Sequence, residues 1–448
     1  MKEMLLKDIV KITNGNLLYG SKDTKISSFS INTKALNNGD VFVGIKGEKI
    51  DGSIYYEDAF KNGAIGCIIN KGSIDIKEQE NKFILEVEDT VLALQEIAKY
   101  KRSLYKDLLV IGVTGSVGKT STKDIIALVL SNKYKVLKTE GNYNNEIGLP
   151  LTILKLKDEE ALVLEMGMDG FGQLSMLSKI GRPKYAVITN VGTAHIANLG
   201  SRENILKAKL EILDGLDKDG KLFINNDNDM LNMWNNNEKK SNVVTFGIHN
   251  KSDYTAINVS YDELTSFTCN GEDYKVNVGG EAFVYNALSA IALGTTLNID
   301  KSKIKNSLSN IVLTKNRLEE IDKNGYKIIS DCYNANYDSM KEGLFNLGKY
   351  KDKRKIAVLG DMLELGEYSK ELHEKVGKEV LNNNIDILVT VGTEAKYIAN
   401  VASKNVDVHE FNNNKDAINY LKTIIKENDV ILVKASHGMN FTEIVENI

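Results

Sequence analysis

Two rhythms of apolar and polar positions run through the chain. Short apolar runs at 108–113, 161–165, 185–189 and 221–224 alternate with stretches whose apolar residues recur at helical spacing, such as Thr120 to Leu130. Strand-length runs interleaved with helical patterns predict a mostly parallel, doubly wound sheet. Before residue 106 the runs are shorter, Asp40–Ile45 and Gly63–Ile69, and a helical stretch spans Thr90 to Tyr105. Between Val243 and Val278 the pattern turns strand-rich, and a helix is predicted over 284–296. A second α/β unit follows, with strands expected at 326–330, 355–359, 386–391 and 429–433. A chain of 448 residues exceeds what one hydrophobic core supports. The predicted architecture is α/β in three domains, at 1–105, 106–313 and 314–448. They are a small N-terminal α/β domain, a central P-loop ATPase-like parallel sheet and a C-terminal Rossmann-like domain.

Composition excludes some classes of function. A net charge of −4 offers no basic excess to neutralise a nucleic-acid backbone, so no nucleic-acid partner is expected. No apolar run reaches the roughly 18 residues of a membrane span. The segment Met1 to Gly15 has charges between its apolar positions and no cleavage-site pattern, unlike a signal peptide. Cys67, Cys269 and Cys332 are odd in number and widely spaced, which suits buried free thiols in a reducing compartment. A cytoplasmic monomer is expected.

The chemistry concentrates after the run 108–113. Gly112-Val113-Thr114-Gly115-Ser116-Val117-Gly118-Lys119-Thr120-Ser121 stands between a predicted strand and a predicted helix. Glycines there let successive backbone N–H groups curl around one anion, and the helix N-terminus adds its positive dipole end. Lys119 would reach the terminal phosphates and Thr120 would offer its hydroxyl to Mg²⁺. The first glycine comes one position earlier than the common phosphate-loop pattern places it. The order of residues still favours a nucleoside triphosphate over a structural turn.

Ligands of open α/β sheets bind beyond the carboxyl ends of the strands. Glu165 ends one central run, and Asn190 and His195 follow another, so Glu165 and His195 should open onto the phosphate crevice. Glu165 is a candidate Mg²⁺ ligand and His195 could ligate or orient one. Taken singly, the first could cap a helix and the second could be exposed. Their equivalent places beside the loop favour the site. After Ser201, a helix is predicted from Arg202 to Leu216. Lys207, with Glu203 and Glu211 four residues away on either side, belongs to a solvated, ion-paired face. Lys209, with Ile205, Ile212 and Leu213, lies on the apolar stripe. Either it snorkels or it points at the nucleotide site. Beside Mg²⁺ a free ammonium would be repelled, so it would pair with phosphate or be converted to an anion. Asn142, Asn144 and Asn145 read as turn residues, and His373 and His409 as surface ones.

These motifs, taken in order, resemble the ATP-dependent Mur ligases of peptidoglycan synthesis along the whole chain. The resemblance rests on 112–121, Asn142 to Thr152, Glu165-Met-Gly-Met168, Thr189 to His195 and Ala208 to Ile212. Asn316-Arg-Leu-Glu319, Asp331 to Ser339 and Val358 to Gly366 continue it. It implies an ATP-dependent carboxylate–amine ligase that works through an acyl phosphate, with two Mg²⁺. It implies a catalytic set of Lys119, Glu165, His195 and Lys209, the last as a carbamate. Metal ligation would fall to Thr120, Glu165, His195 and the Lys209 carbamate. ATP would be bound by Thr114, Gly115, Ser116, Val117, Gly118, Lys119, Thr120 and Ser121 with Asn286, Arg317 and Asp331. The branch most resembled adds D-alanyl-D-alanine to UDP-N-acetylmuramoyl-tripeptide. Ser30, Asn32, Thr33 and Lys34 would then meet the UDP substrate, and Asn334 and Asn336 the dipeptide. Asn32 and Lys34 replace the usual Asp and Arg, Ala282 and Phe283 replace His-Asn, and Tyr337 replaces proline. Ala435-Ser436-His437 replaces the usual Gly-Ser-Arg. The rival readings are a sister ligase adding a single amino acid, a folylpolyglutamate synthetase-like ligase, and a nucleotide-binding regulatory homologue.

Overall fold

The computed structural model describes residues 3–73, 76–261, 264–312 and 314–448. The predicted boundary at Leu313 lies outside them. Three larger sheets carry the chain, as the rhythm of the sequence predicts, beside a two-stranded antiparallel pair of Met4–Leu5 with Lys25–Ile26. The first is five-stranded, in the order Asn16–Tyr19, Phe83–Val87, Gly66–Asn70, Val41–Val43, Phe29–Ser30, with only the first pair antiparallel. Helix Thr90–Ser103 follows, capped by Asp89, whose carboxylate accepts from Val91 and Leu92 N–H.

The central sheet has nine strands. Its parallel part runs from Tyr254–Tyr261 through Val243–Gly247, Lys221–Asn225, Tyr185–Ile188, Leu109–Thr114 and Ala161–Glu165 to Val136–Lys138. Thr265–Cys269 and Glu272–Val276 extend it antiparallel beyond Tyr254–Tyr261. Both faces of the parallel part are covered, so successive residues enter different cores. Val110, Leu162, Leu164 and Ile188 pack on one side. Ile111, Val113, Val163 and Val187 pack on the other, under helices Lys119–Leu130 and Glu281–Thr296. Leu109–Thr114 is flanked by Ala161–Glu165 on one edge and Tyr185–Ile188 on the other. The winding direction reverses there, which makes it the switch point where a crevice opens.

The third sheet has six strands, in the order Glu319–Lys323, Tyr326–Ser330, Val430–Lys434, Lys355–Gly360, Ile387–Val391, Asp407–Phe411. All pairs but the first are parallel.

Several expectations change on inspection. The predicted helix 202–216 is an α-helix only over Arg202–Leu210 and continues as a 3₁₀ turn, Glu211–Gly215. Glu211 makes no ion pair with Lys207; its carboxylate accepts from Gly172 and Ser175 N–H at the start of helix Gln173–Gly181. His373 is fully buried instead of lying on the surface: Nδ1–H donates to Ser369 O at 2.8 Å, and Nε2 accepts Met362 N–H at 3.0 Å. His409 is half-buried against Tyr420. The three cysteines are buried and free, as expected. No helix among the described residues is long and apolar enough to cross a membrane.

Candidate active site

The loop after Leu109–Thr114 owes its shape to two glycines and to the neighbouring strand. A Cβ on Gly115 would lie 1.8 Å from Thr189 Oγ1, so only glycine permits that approach. Gly118 adopts the left-handed conformation, φ 82°, immediately before helix Lys119–Leu130. Asn190 braces the loop: its side-chain oxygen accepts from Ser116 N–H at 3.0 Å and Val117 N–H at 2.9 Å. The Thr189 hydroxyl donates to Val117 O at 2.6 Å. Lys119 folds back over the loop, and its Nζ donates to Gly115 O at 2.8 Å.

Glu165 stands on the next strand, in register with Val113. Its Oε2 accepts from the Thr120 hydroxyl at 2.9 Å and its Oε1 from Asn144 Nδ2 at 2.8 Å. Its own N–H donates to Thr139 Oγ1 at 3.0 Å, which fixes the strand end. Arg317 arrives from the third sheet's unit. Its Nη2 donates to Thr120 Oγ1 at 3.0 Å, and its guanidinium lies 3.7 Å above the Tyr333 ring. Arg317 Nε is buried without a partner among the described residues, a donor waiting for an acceptor. On the far side of the switch point His195 holds a left-handed backbone and places Nδ1 2.9 Å from Glu364 Oε2.

These groups share one cleft of about 370 Å³. Of the residues singled out in the sequence, Ser116, Val117, Gly118, Lys119, Thr120, Glu165, His195, Arg317, Asn334 and Asn336 line it. Thr114 is buried. Asn286 lines a small adjoining cavity with Val117 and Gly118, its Oδ1 accepting from the Thr122 hydroxyl at 2.8 Å. Lys209 is 2% exposed and does not snorkel; its ammonium has no counter-ion among the described residues. Asp331 is turned elsewhere, bound 2.6 Å from Lys434 Nζ in a buried pair. Ser30, Asn32, Thr33 and Lys34 lie on and just after the edge strand of the N-terminal sheet, away from the cleft lining.

Two cations, Lys119 and Arg317, face the cleft beside Glu146, Glu165 and Asp169. Burial lowers the Lys119 ammonium from its ordinary range, with Glu165 opposing and Arg317 reinforcing the change. Burial, then the charge of Lys119, pushes the Lys209 amine well below the usual lysine range. The same two causes lower His195, against the pull of Glu364. Residues given no site role of their own in the sequence contribute as well. Asn144 sat in a loop taken for a turn, Asn190 was noted only by its place, and Tyr333 and Lys434 lacked any local signal.

A phosphate loop at the switch point of one parallel sheet, met by an arginine from a second α/β unit, defines a multidomain P-loop nucleotide-binding protein. Comparison with known proteins narrows the class. Family models match as the Mur ligase family catalytic domain over residues 25–102, the Mur ligase middle domain over 113–294, and the Mur ligase glutamate ligase domain over 316–437. The chain belongs to the Mur ligase family. A relative from Bacillus subtilis (strain 168), named UDP-N-acetylmuramoyl-tripeptide--D-alanyl-D-alanine ligase, is 38% identical, with 100% of this chain and 99% of the relative covered. The crystal structure of MurF from Acinetobacter baumannii superposes with a TM-score of 0.91 at 28% identity, covering 100% of this chain and 98% of that one. MurF ligase from Thermotoga maritima, solved in complex with ADP, gives 0.81 at 31% identity, covering 94% and 96%.

Proposed function

We propose that this protein joins D-alanyl-D-alanine to UDP-N-acetylmuramoyl-tripeptide in an ATP-dependent reaction of peptidoglycan precursor synthesis. The observation that carries this reading is the convergence of Lys119, Thr120 and Glu165 with Arg317 on one cleft, in a chain collinear with ligases of that name. The terminal carboxylate of the tripeptide attacks the γ-phosphorus of ATP, the bond to ADP breaks, and an acyl phosphate forms. The amine of the dipeptide then adds to that carbonyl, phosphate leaves with both electrons of its C–O bond, and one proton of the nitrogen passes to the departing phosphate. Two anions must approach for the first step. The cations Lys119 and Arg317 and the loop amides offset that repulsion.

Mg²⁺ fits the donor set. Thr120 and Glu165 offer adjacent hard oxygens, and no group of three or more His, Cys, Asp or Glu suited to a metal occurs among the described residues. That is the pattern of an ion held by one or two protein oxygens and completed by phosphate and water. Thr120 and Glu165 would hold one ion, and His195 with carbamylated Lys209 a second. Bound there, the metals supply charge stabilisation at the transferring phosphoryl group. Lys209 suits carbamylation because its amine is desolvated, lacks a counter-ion and is held toward its neutral, nucleophilic form.

Thr114 to Ser121, Asn286, Arg317 and Asp331 are assigned to ATP. Asn334 and Asn336 are assigned to the dipeptide. Asn336 also caps helix Tyr337–Gly348 through its side chain. Ser30, Asn32, Thr33 and Lys34 are assigned to the UDP moiety, the domain boundaries to 105/106 and 313/314, and the location to the cytoplasm as a monomer. Tripeptide labelled with ¹⁸O in its terminal carboxylate tests the chemistry: one ¹⁸O should appear in released phosphate. Unlabelled phosphate would exclude the acyl phosphate.

A further inference from the structure

His195 stands between two spaces. One is the nucleotide cleft. The other is a smaller cavity of about 130 Å³ lined by Ala194, Asn334, Leu363, Glu364, His437 and others. The contact that fixes the ring crosses from one sheet's unit to another, since Glu364 belongs to the loop after Lys355–Gly360. Both residues hold a left-handed backbone, with φ 62° in each. That conformation is costly for a side chain the size of glutamate and persists only where its surroundings impose it.

The surroundings do impose it. Met362 N–H donates to His373, and Leu363 N–H donates to Ser436 Oγ at 2.9 Å. Asp361 accepts from the N–H groups of Thr393, Glu394 and Ala395. Across the boundary, the Tyr368 hydroxyl donates to Gly200 O at 2.7 Å. A Cβ on Gly366 would lie 3.2 Å from Ala197 Cβ. Two braced loops therefore present the carboxylate to the imidazole.

We propose that Glu364 is a positioning residue for His195: its carboxylate accepts the Nδ1–H across the domain boundary and leaves the Nε2 lone pair available to the nucleotide cleft. A neutral imidazole carries one N–H, and an acceptor held at one nitrogen decides which nitrogen keeps it. Without such an acceptor the Nε2–H form is preferred, which would turn a donor toward the cleft. A histidine that ligates or accepts through Nε2 needs the other form. Glu364 is 61% exposed, so the pair adds little stability, and its worth is directional. Because the two residues belong to different units, His195 holds this tautomer only while the third sheet's unit is docked on the central one. What His195 then does rests on the ligase reading; the tautomer itself does not.

The test is nitrogen-15 NMR of the side chains in full-length, histidine-labelled protein without nucleotide, assigned among its five histidines by a His195→Ala variant. Wild type and Glu364→Gln, whose amide oxygen still accepts, should show His195 protonated at Nδ1. Glu364→Ala should move the proton to Nε2, and its kcat should fall about 10- to 100-fold with KM for ATP unchanged, while Glu364→Gln keeps most activity. The proposal is overturned if wild-type His195 carries its proton on Nε2, or if Glu364→Ala leaves either the tautomer or kcat unchanged. Wild-type ligation of the dipeptide is scored separately, so a wrong substrate assignment would show there and leave the tautomer result standing.

Discussion

Two buried groups show what single residues contribute and how each can be checked. Lys209 lies under the cleft wall with no counter-ion among the described residues, a costly place for an ammonium. Removing its amine by Lys209→Ala should lower ligation at least about a hundredfold while leaving the fold and ATP binding intact. Titration calorimetry beside a phosphate-release assay separates the two; full activity in the variant would sink the carbamate. His373 makes a different prediction. Burial lowers its pKa from the ordinary 6.5, against the opposing hydrogen bond to Ser369 O. Above about pH 6.5 both folded and unfolded states are neutral and the full stability is present. Below that, the unfolded chain takes up a proton that the folded chain resists, so stability falls as pH drops toward the folded value. The loss approaches about 1.4 kcal/mol per pH unit for one group. Urea unfolding at pH 7.5 and 5.5 should show a smaller pH dependence in His373→Gln than in wild type, and equal slopes would refute the argument.

Among elements, the loop after strand Tyr326–Ser330 depends most on a residue far away in sequence. Lys434, fully buried at the end of strand Val430–Lys434, reaches Asp331 and also donates to Asn334 O at 2.9 Å. It thereby sets the loop that carries Tyr333, Asn334 and Asn336 into the cleft. Lys434→Met should cost about 3–5 kcal/mol in urea unfolding by stranding a buried carboxylate, and adding Asp331→Asn should recover most of it. No recovery would show that the lysine acts through packing alone. The pair also marks where reading the sequence runs out. Strand ends, the phosphate loop and the inward face of Lys209 were legible because each follows from a local period or from backbone chemistry. Nothing local announces that Asp331 pairs with Lys434, about a hundred positions on. The helix predicted to Leu216 tightens into a 3₁₀ turn after Leu210 for a similar reason. There the chain packs so closely on helix Gln173–Gly181 that a Cβ on Gly215 would lie 2.1 Å from Ser178 O.

For the whole molecule, three sheets could be counted from alternating periods, but their apposition could not. It rests on scattered contacts between units, among them Thr193 N–H to Asp338 at 3.1 Å, Arg317 to Thr120, and His195 to Glu364. Each joins residues more than a hundred positions apart, and no periodicity carries that information. The apposition decides the chemistry, because neither unit alone holds both the phosphate loop and its arginine. An acyl phosphate has to be kept from water, which would otherwise intercept it. The central claim is the identity of the amine that does intercept it. The direct measurement is phosphate release with ATP, Mg²⁺ and UDP-N-acetylmuramoyl-tripeptide, offered in turn D-alanyl-D-alanine, D-alanine, L-lysine and D-glutamate, with mass analysis of the product. Release coupled to a product heavier by the whole dipeptide, and only with the dipeptide, is the expected result. Ligation of a single amino acid in preference to D-alanyl-D-alanine would contradict it.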